Sequence, residues 1–147
     1  NPGKPPELPK GMGYLSLSHC RDAIILVWHA KKIGIDIERL DRNFNYPKLA
    51  TKYFLNPNRS TCTSESYKKS ILNQWCGIEA AVKWDHGKLA EDIKQWEYSE
   101  NCKSLFHKKK KLKLKITQIY FHKWTISLAY RESSHFIPNI ICSSKIV

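Results

Sequence analysis

The sequence predicts an α+β fold in which an antiparallel sheet packs on one long helix. Segments with the alternating or continuous apolar pattern of strands occupy both ends of the chain, and a long stripe of helical period lies between them. With 147 residues, of which 41% are hydrophobic, the chain is long enough for one domain with a buried core. Its five Trp, seven Tyr and five Phe argue against disorder.

Three strands are predicted near the start of the chain. Residues 1–13 contain four prolines and three glycines, which predicts an irregular lead-in from an N-terminal lobe that is missing or trimmed. Residues 14–19 alternate between polar and apolar, residues 23–28 are a continuous apolar run, and residues 32–38 alternate again. Because the connections are short, the three strands are predicted to form a meander.

Two helices are predicted in the middle of the chain. Tyr46-Pro47 opens the first, since proline suits the first turn of a helix. A longer helix is predicted over residues 66–84, and Gly87 just beyond it is a typical C-terminal stop. The apolar stripe of this helix consists of Ile71, Leu72, Trp75, Ile78 and Val82.

The last third of the chain is predicted to contain a hairpin of two strands. Residues 111–116 alternate lysine with Leu or Ile, residues 124–130 alternate as well, and residues 121–123 join them. The sequence after Arg131 has little pattern. We therefore predict a domain over residues 14–131 and a C-terminal tail over residues 132–147.

The charge balance indicates an anionic partner. Lys and Arg number 25 against 13 Asp and Glu, which gives a net charge of +12. Such a surplus suits nucleic acid, an acidic protein, a phosphorylated ligand or an anionic membrane surface. The densest basic segment, residues 107–115, fits either a surface that attracts such a partner or a solvated strand edge protected by lysines.

The cysteines and histidines predict neither a zinc site nor disulfides. The five cysteines are scattered without a CxxC pair, which indicates reduced thiols and a cytoplasmic location. The histidines other than His19 show no paired spacing and are predicted to lie on the surface or in loops. No apolar run has the length of a membrane span and no signal peptide is recognisable, so no membrane partner is expected.

Two acids lie on one face of the third predicted strand. In Gly34-Ile35-Asp36-Ile37-Glu38 the carboxylates alternate with isoleucines, which fits either a solvated strand edge or a site for a small hard cation such as Mg²⁺.

On the long helix, Glu79 and Lys83 are i, i+4 neighbours. They form either a surface ion pair or, if the helix crosses the strand, a cluster with Asp36 and Glu38. Three gathered carboxylates would repel one another, so such a cluster would indicate a bound metal.

The order of these motifs resembles a known enzyme family. Ser18-His19, Gly34-x-Asp36-x-Glu38 and Trp75-x-x-x-Glu79-Ala-x-x-Lys83 follow one another, with Gly3-Lys4-Pro5 upstream. This set is similar to the 4′-phosphopantetheinyl transferase superfamily, in particular its Sfp-like group with the cyanobacterial HetI-like proteins. The resemblance covers roughly residues 3–90.

The resemblance implies a specific activity and a set of roles. Members of the family move the phosphopantetheine arm of coenzyme A to a serine of an acyl or peptidyl carrier protein and release 3′,5′-ADP. It implies that Mg²⁺ is bound by Asp36, Glu38 and Glu79. The residues that it assigns to coenzyme A are Lys4, Ser18, His19 and Lys83. The catalytic pair would be Glu79, which accepts the serine proton unless a metal-bound water does, and Lys83, which neutralises the leaving phosphate. Such carrier proteins are acidic, which fits the basic charge of this chain.

Two departures from the family pattern keep other functions open. Ile78 stands where the family usually has lysine before the helix glutamate, and most of the N-terminal lobe of larger members is missing. The chain therefore also fits a catalytically inactive relative or a fragment. The main alternative is a small basic domain that binds nucleic acid through lysines and aromatic rings. Nucleic acid is the less expected partner, because that function leaves Asp36, Glu38 and Glu79 unexplained.

Overall fold

The structure, a computed structural model, describes residues 7–53, 63–131 and 141–143. Lys4 and the Gly-Lys-Pro segment lie outside the described residues. In chain order the strands are β1 (Tyr14–Cys20), β2 (Ala23–His29), β3 (Ile33–Arg39), β4 (Trp96–Tyr98), β5 (Ser104–His107), β6 (Leu112–Phe121), β7 (Trp124–Tyr130) and β8 (Ile141–Ser143). The helices are α1 (Tyr46–Tyr53), α2 (Ser64–Trp84) and the single turn α3 (Leu89–Asp92), which leads into a 3₁₀ turn over Ile93–Gln95.

The described strands form two antiparallel sheets. One has the order β1-β2-β8 and the other the order β3-β7-β6-β5-β4. The predicted mixture of helices and antiparallel strands is confirmed. The predicted meander is wrong at its third strand, because β3 leaves β2 and pairs with β7 over its whole length. The reason is that β3 is buried on both faces along residues 33–37, which places it between layers rather than beside β2.

Two serines of β1 close the free edge of the five-stranded sheet. The Ser16 hydroxyl accepts a hydrogen bond from the Ile35 N–H at 3.1 Å, and the Ser18 hydroxyl accepts one from the Ile37 N–H at 3.3 Å. Because β3 is the outermost strand of its sheet, these N–H groups have no strand partner on that side. Side chains of β1 thus join the two sheets at the residues that flank Asp36.

Helix α2 lies directly on the other face of β3. The helix begins after Thr63, whose hydroxyl accepts a hydrogen bond from the Ser66 N–H, and it runs for 21 residues. A Cβ at Gly34 would lie 2.0 Å from the Ala80 carbonyl oxygen, so only glycine permits this approach. Trp84 at the end of the helix donates through Nε1 to the Lys32 carbonyl oxygen at 2.9 Å. Gly34 is therefore the contact point that brings the helix onto the strand.

The two faces of the five-stranded sheet carry separate apolar clusters. One cluster, centred on Ile71, Ile78 and Leu114, lies between the sheet and the helices. The other lies between the two sheets and contains Ile25, Val27, Ile33, Ile35, Ile37, Ile126, Leu128 and Tyr130. None of the described helices combines the length and the apolar character needed to cross a lipid bilayer.

One sequence prediction in the last third needs correction. His107 was expected on the surface or in a loop, but it lies in β5, is 2% exposed and packs edge-on against the Trp96 ring. Its position opposite Leu112 on β6 turns it toward the apolar side of the sheet. Within the predicted tail over residues 132–147, the structure describes Ile141–Ser143, which pair with β2, and the other residues after Arg131 lie outside the described ranges. Strands β4 and β5, and the extension of β6 to Phe121, were not predicted.

Candidate functional site: an acidic centre beneath helix α2

The contact at Gly34 brings charged side chains of β3 and α2 together. Asp36 follows Gly34 on the same face of β3, and Lys83 on α2 approaches it with 2.6 Å between Nζ and Oδ1. Glu79 lies one helical turn before Lys83, within electrostatic reach of Asp36 and Glu38. The predicted crossing of helix and strand is therefore observed. We call Asp36, Glu38 and Glu79 the acidic centre.

Asp36 is held in place by a small network that links three elements. The Ser18 hydroxyl on β1 donates to Asp36 Oδ1 at 2.7 Å. Lys83 Nζ donates to Ser18 Oγ at 2.7 Å as well as to Asp36 Oδ1. Since Ser18 also accepts from the Ile37 N–H, its hydroxyl is fully used inside the protein. The structure thus places Ser18 at the carboxylate, as a positioning residue between β1, β3 and α2.

One oxygen of Asp36 is buried without a partner. The residue is 2% exposed, and among the described residues its Oδ2 has no hydrogen-bond partner. A buried acceptor that stays unsatisfied typically costs 1–3 kcal/mol, and more when it is charged. This oxygen would be satisfied by a proton shared with a neighbouring acid or by a bound cation.

Glu79 is held largely in its protonated form. Burial, together with the charges of Asp36 and Glu38, raises the pKa of Glu79 to about 8 against the opposing effect of Lys83. At neutral pH the centre therefore carries a proton on Glu79. A bound cation would favour the charged carboxylate and displace that proton.

Glu38 lies at the exposed end of the acidic centre. Its carboxylate receives a hydrogen bond from Arg42 Nη1 at 2.5 Å, four residues along the chain. Two acids of the centre, Asp36 and Glu38, thus have a lysine or arginine partner. In this arrangement, no three His, Cys, Asp or Glu side chains among the described residues converge as ligands of one metal ion.

The donor chemistry of the centre nevertheless fits a hard divalent cation. All three side chains offer carboxylate oxygens, which are the ligands that Mg²⁺ prefers. Asp36 Oδ2 has no hydrogen-bond partner among the described residues, and Glu79 keeps its proton near neutral pH. Both observations indicate that the acids of the centre outnumber the lysine and arginine side chains that neutralise them. Binding of Mg²⁺ would require Lys83 or Arg42 to turn away from the carboxylates.

A basic cleft adjoins the acidic centre and shares Glu38 with it. The open cleft has a volume of about 440 Å³. Its lining consists of His19, Cys20, Arg21, Glu38, Arg39, Asp41, Arg42 and Asn43. Arg39 is oriented by Asp22, at 2.9 Å, and by Asp41. Arg39 and Arg42 are both paired with carboxylates, so an anion such as a phosphate would bind them in competition with Asp41 and Glu38.

The predicted site residues occupy distinct parts of this site. Asp36, Glu79 and Lys83 meet beneath α2, and Glu38 lies between the acidic centre and the cleft. His19 lines the cleft, whereas Ser18 donates a hydrogen bond to Asp36 of the acidic centre. Sequence reasoning missed the arginines of the cleft. The available signal was that Arg39 and Arg42 directly follow the Asp36-x-Glu38 motif.

A second depression lies between α1 and α2, next to the cleft. It has a volume of about 250 Å³, and its apolar floor includes Leu49, Leu72 and Trp75. Arg42, Lys48 and Lys52 also line it. This groove is therefore an apolar surface with a basic rim, and it shares Arg42 with the cleft.

Comparisons with known proteins add no assignment to this geometry. No protein-family model matches the chain, and no curated protein is significantly similar to it. The functional interpretation therefore depends on the arrangement of these residues.

Replacing Lys83 tests how the acidic centre is neutralised. Lys83→Met removes the cation beside the buried Asp36, and because the Lys83 side chain is 34% exposed, we expect stability to fall by only roughly 1–3 kcal/mol without metal. We expect Mg²⁺ to raise the melting temperature of this variant more than that of the wild type, since a divalent cation replaces the lost charge. Lys88→Met, which removes an exposed lysine paired with Glu91, is the matched control. An equal response to Mg²⁺ in both variants would contradict a cation site at Asp36.

Proposed function

We propose that the protein transfers the 4′-phosphopantetheine group of coenzyme A to a serine of an apo acyl or peptidyl carrier protein, with Mg²⁺, and releases 3′,5′-ADP. The observation that carries this proposal is the acidic centre beside the basic cleft, with Glu38 common to both. Coenzyme A combines a pyrophosphate with a separate 3′-phosphate, so it needs a cation site and an anion site next to each other.

The acidic centre supports the part of the reaction that involves the pyrophosphate. Asp36, Glu38 and Glu79 would hold Mg²⁺, which when bound neutralises charge on the phosphoryl group and its leaving group. Lys83 presents its ammonium at the same point and, once released from Asp36, would bind a phosphate oxygen. The role of Ser18 would be to keep the Asp36 carboxylate oriented.

The basic cleft supports binding of the nucleotide end of coenzyme A. Arg21, Arg42 and His19 line it, and Arg39 is already oriented by two carboxylates. Guanidinium groups bind phosphate oxygens through paired hydrogen bonds. The 3′-phosphate would therefore occupy the cleft while the pyrophosphate extends toward the acidic centre.

Glu79 has the properties of a group that accepts the serine proton. Without metal the pKa of Glu79 is about 8, and a bound cation would lower it toward the range in which the carboxylate is ionised and can act as a base. The carboxylate would take the proton from the carrier serine hydroxyl as that oxygen attacks the phosphorus. A cation at Asp36 would keep Glu79 ionised and ready for this step.

The groove between α1 and α2 supports docking of an acidic carrier. Its basic rim of Arg42, Lys48 and Lys52 would attract acidic side chains, and its apolar floor would bind a helix of the partner. Because Arg42 belongs to both the groove and the cleft, a carrier bound there would have its serine close to coenzyme A.

The proposed activity is tested by mass spectrometry of the carrier. Apo carrier protein incubated with coenzyme A, Mg²⁺ and this chain should gain the mass of one phosphopantetheine group. We expect Asp36→Ala to lower the rate at least about 100-fold, because it removes the buried carboxylate that would hold the metal. The control is Glu97→Ala, which removes an exposed acid of β4 that is paired with Lys108.

The possible outcomes separate the alternatives. Equal rates for Asp36→Ala and the wild type would remove Asp36 from the site. Coenzyme A binding without any transfer to a panel of acidic carriers would support an inactive relative that keeps the ligand site. The absence of both binding and transfer would contradict the proposed function.

A further inference from the structure

A second charged surface lies on the open face of the β5–β6 hairpin. The residues of β6 alternate in burial, so that Leu112, Leu114 and Ile116 are buried while Lys113 and Lys115 are exposed. On β5, Phe106 pairs in register with Lys113 and is 39% exposed. The turn between the strands contributes Lys111, whose Nζ lies 5.8 Å from the Phe106 ring centroid. We call Phe106, Lys111, Lys113 and Lys115 the lysine face.

The lysine face lies away from the proposed transfer site. Asp36 is on the side of the five-stranded sheet that faces α2, whereas Lys113 and Phe106 are on the opposite side. Strands β6 and β5 are also the second and third strands from β3 in the sheet order, which separates the two regions by about 10–14 Å across the sheet. The proposed phosphopantetheine transfer therefore does not use this surface.

The acids nearest to the lysine face are engaged by lysines outside it. Glu97 of β4 lies opposite Phe106 of β5, and its carboxylate is engaged by Lys108 at 3.7 Å. Asp85 at the end of α2 is engaged by Lys110. Lys111 and Lys113 form no ion pair within the part of the chain that the structure describes. The surface thus presents a flat aromatic ring surrounded by ammonium groups.

We propose that the lysine face binds single-stranded nucleic acid, with Phe106 stacking on a base and the lysines contacting phosphates. Lysines at alternate positions of β6 are spaced about 7 Å apart along an extended line, which suits an extended phosphodiester chain. An exposed ring on a sheet offers a stacking platform that accepts any base, and stacking typically contributes about 1–3 kcal/mol per base. An acidic protein would also be attracted by the lysines, and polyglutamate is the probe for that alternative.

The binding is tested by fluorescence anisotropy of a labelled twelve-nucleotide oligothymidine over a series of salt concentrations. The triple variant Lys111→Gln, Lys113→Gln, Lys115→Gln should reduce the slope of log affinity against log salt by about 2, since each phosphate contact contributes about 0.7. The matched control is Lys48→Gln, Lys52→Gln, Lys69→Gln, which removes the same charge from exposed positions on the helices. We expect the control to change the slope by less than half as much.

Phe106 separates stacking from simple charge attraction. Phe106→Ala should weaken binding by about 5- to 100-fold and leave the salt slope unchanged, while Phe106→Trp should retain or improve the wild-type affinity. Because Phe106 lies on the surface, thermal melts of both variants are expected to match the wild type. Three outcomes would each overturn the proposal. The two triple variants could lose the same salt slope, or Phe106→Ala could leave the affinity unchanged. Polyglutamate could also bind more tightly than the oligonucleotide.

Discussion

Replacing Gly34 with alanine is expected to lower the free energy of unfolding by roughly 3 kcal/mol or more. The added Cβ would lie 2.0 Å from the Ala80 carbonyl oxygen and 2.6 Å from the Trp84 amide nitrogen. Both atoms belong to the backbone of α2, so no rotamer change relieves the overlap and the helix must move off β3. Urea unfolding followed by tryptophan fluorescence measures the change, since Trp84 and Trp75 lie on this helix.

Gly11→Ala is the control for this substitution. Gly11 has a positive φ of 91°, but a Cβ there would have nothing within 4 Å, so only backbone strain of about 1 kcal/mol is expected. If Gly34→Ala costs no more than Gly11→Ala, α2 does not lie on β3 as described. The acidic centre would then lose its structural basis, because Asp36 and Lys83 meet only through this contact.

Glu79→Gln is expected to stabilise the metal-free protein at alkaline pH by an amount on the order of 2–4 kcal/mol. The pKa of Glu79 is raised from 4.5 in the unfolded chain to about 8 in the folded protein, chiefly by burial and then by the charge of Asp36. Between these values the folded state binds a proton that the unfolded state has released. The stability contributed by Glu79 is therefore complete below pH 4.5 and is lost as the pH rises to 8 and above.

The glutamine variant keeps the shape of the side chain without the titration. Unfolding measured in the presence of a chelator should show similar stabilities of variant and wild type near pH 5, and a growing advantage of the variant toward pH 9. Glu91→Gln, at an exposed position paired with Lys88, is the control and should show no such divergence. Parallel stability curves for Glu79→Gln and the wild type would show that Glu79 is not buried beside Asp36.

The secondary structure of the first two thirds follows closely from the sequence, whereas its arrangement in space does not. Alternation in β1 and helical period in α2 are local signals that depend on a single partner layer. The alternation of β3 fits a strand in either sheet, because isoleucines on one side specify only that a layer covers them. Pairing with β7 instead of β2 depends on Gly34 and Asp36 being buried as well, and alternation does not reveal that.

Spacing predicted which residues of the acidic centre share a face of a strand or helix, and the resemblance in motif order then grouped them into one site. Asp36 and Glu38 share a strand face, and Glu79 and Lys83 share a helix face. The role of Ser18 was not predictable in this way, since its contact with Asp36 depends on β1 lying against the edge of β3. The same reason conceals the basic cleft, because its residues come from the end of β1, the turn after it, the end of β3 and the loop that follows β3.

The later part of the chain was harder to predict because its elements are short. Strands β4 and β5 have three and four residues, too few for a periodic signal. His107 is buried because it pairs with Leu112 and packs on Trp96, which are contacts between strands rather than along one strand. The lysine pattern of β6 was recognised, and its exposed lysines and buried aliphatic residues are confirmed.

Titration of coenzyme A by calorimetry, with and without Mg²⁺, most directly tests whether the acidic centre and the basic cleft form one ligand site. We expect Mg²⁺ to tighten coenzyme A binding at least about tenfold in the wild type, because a cation held by Asp36, Glu38 and Glu79 would contact the pyrophosphate. The effect should disappear in Asp36→Asn, which keeps the shape of the side chain but not its charge. Coenzyme A binding that is unaffected by Mg²⁺, or that responds equally in Asp36→Asn, would contradict a metal-assisted coenzyme A site in this protein.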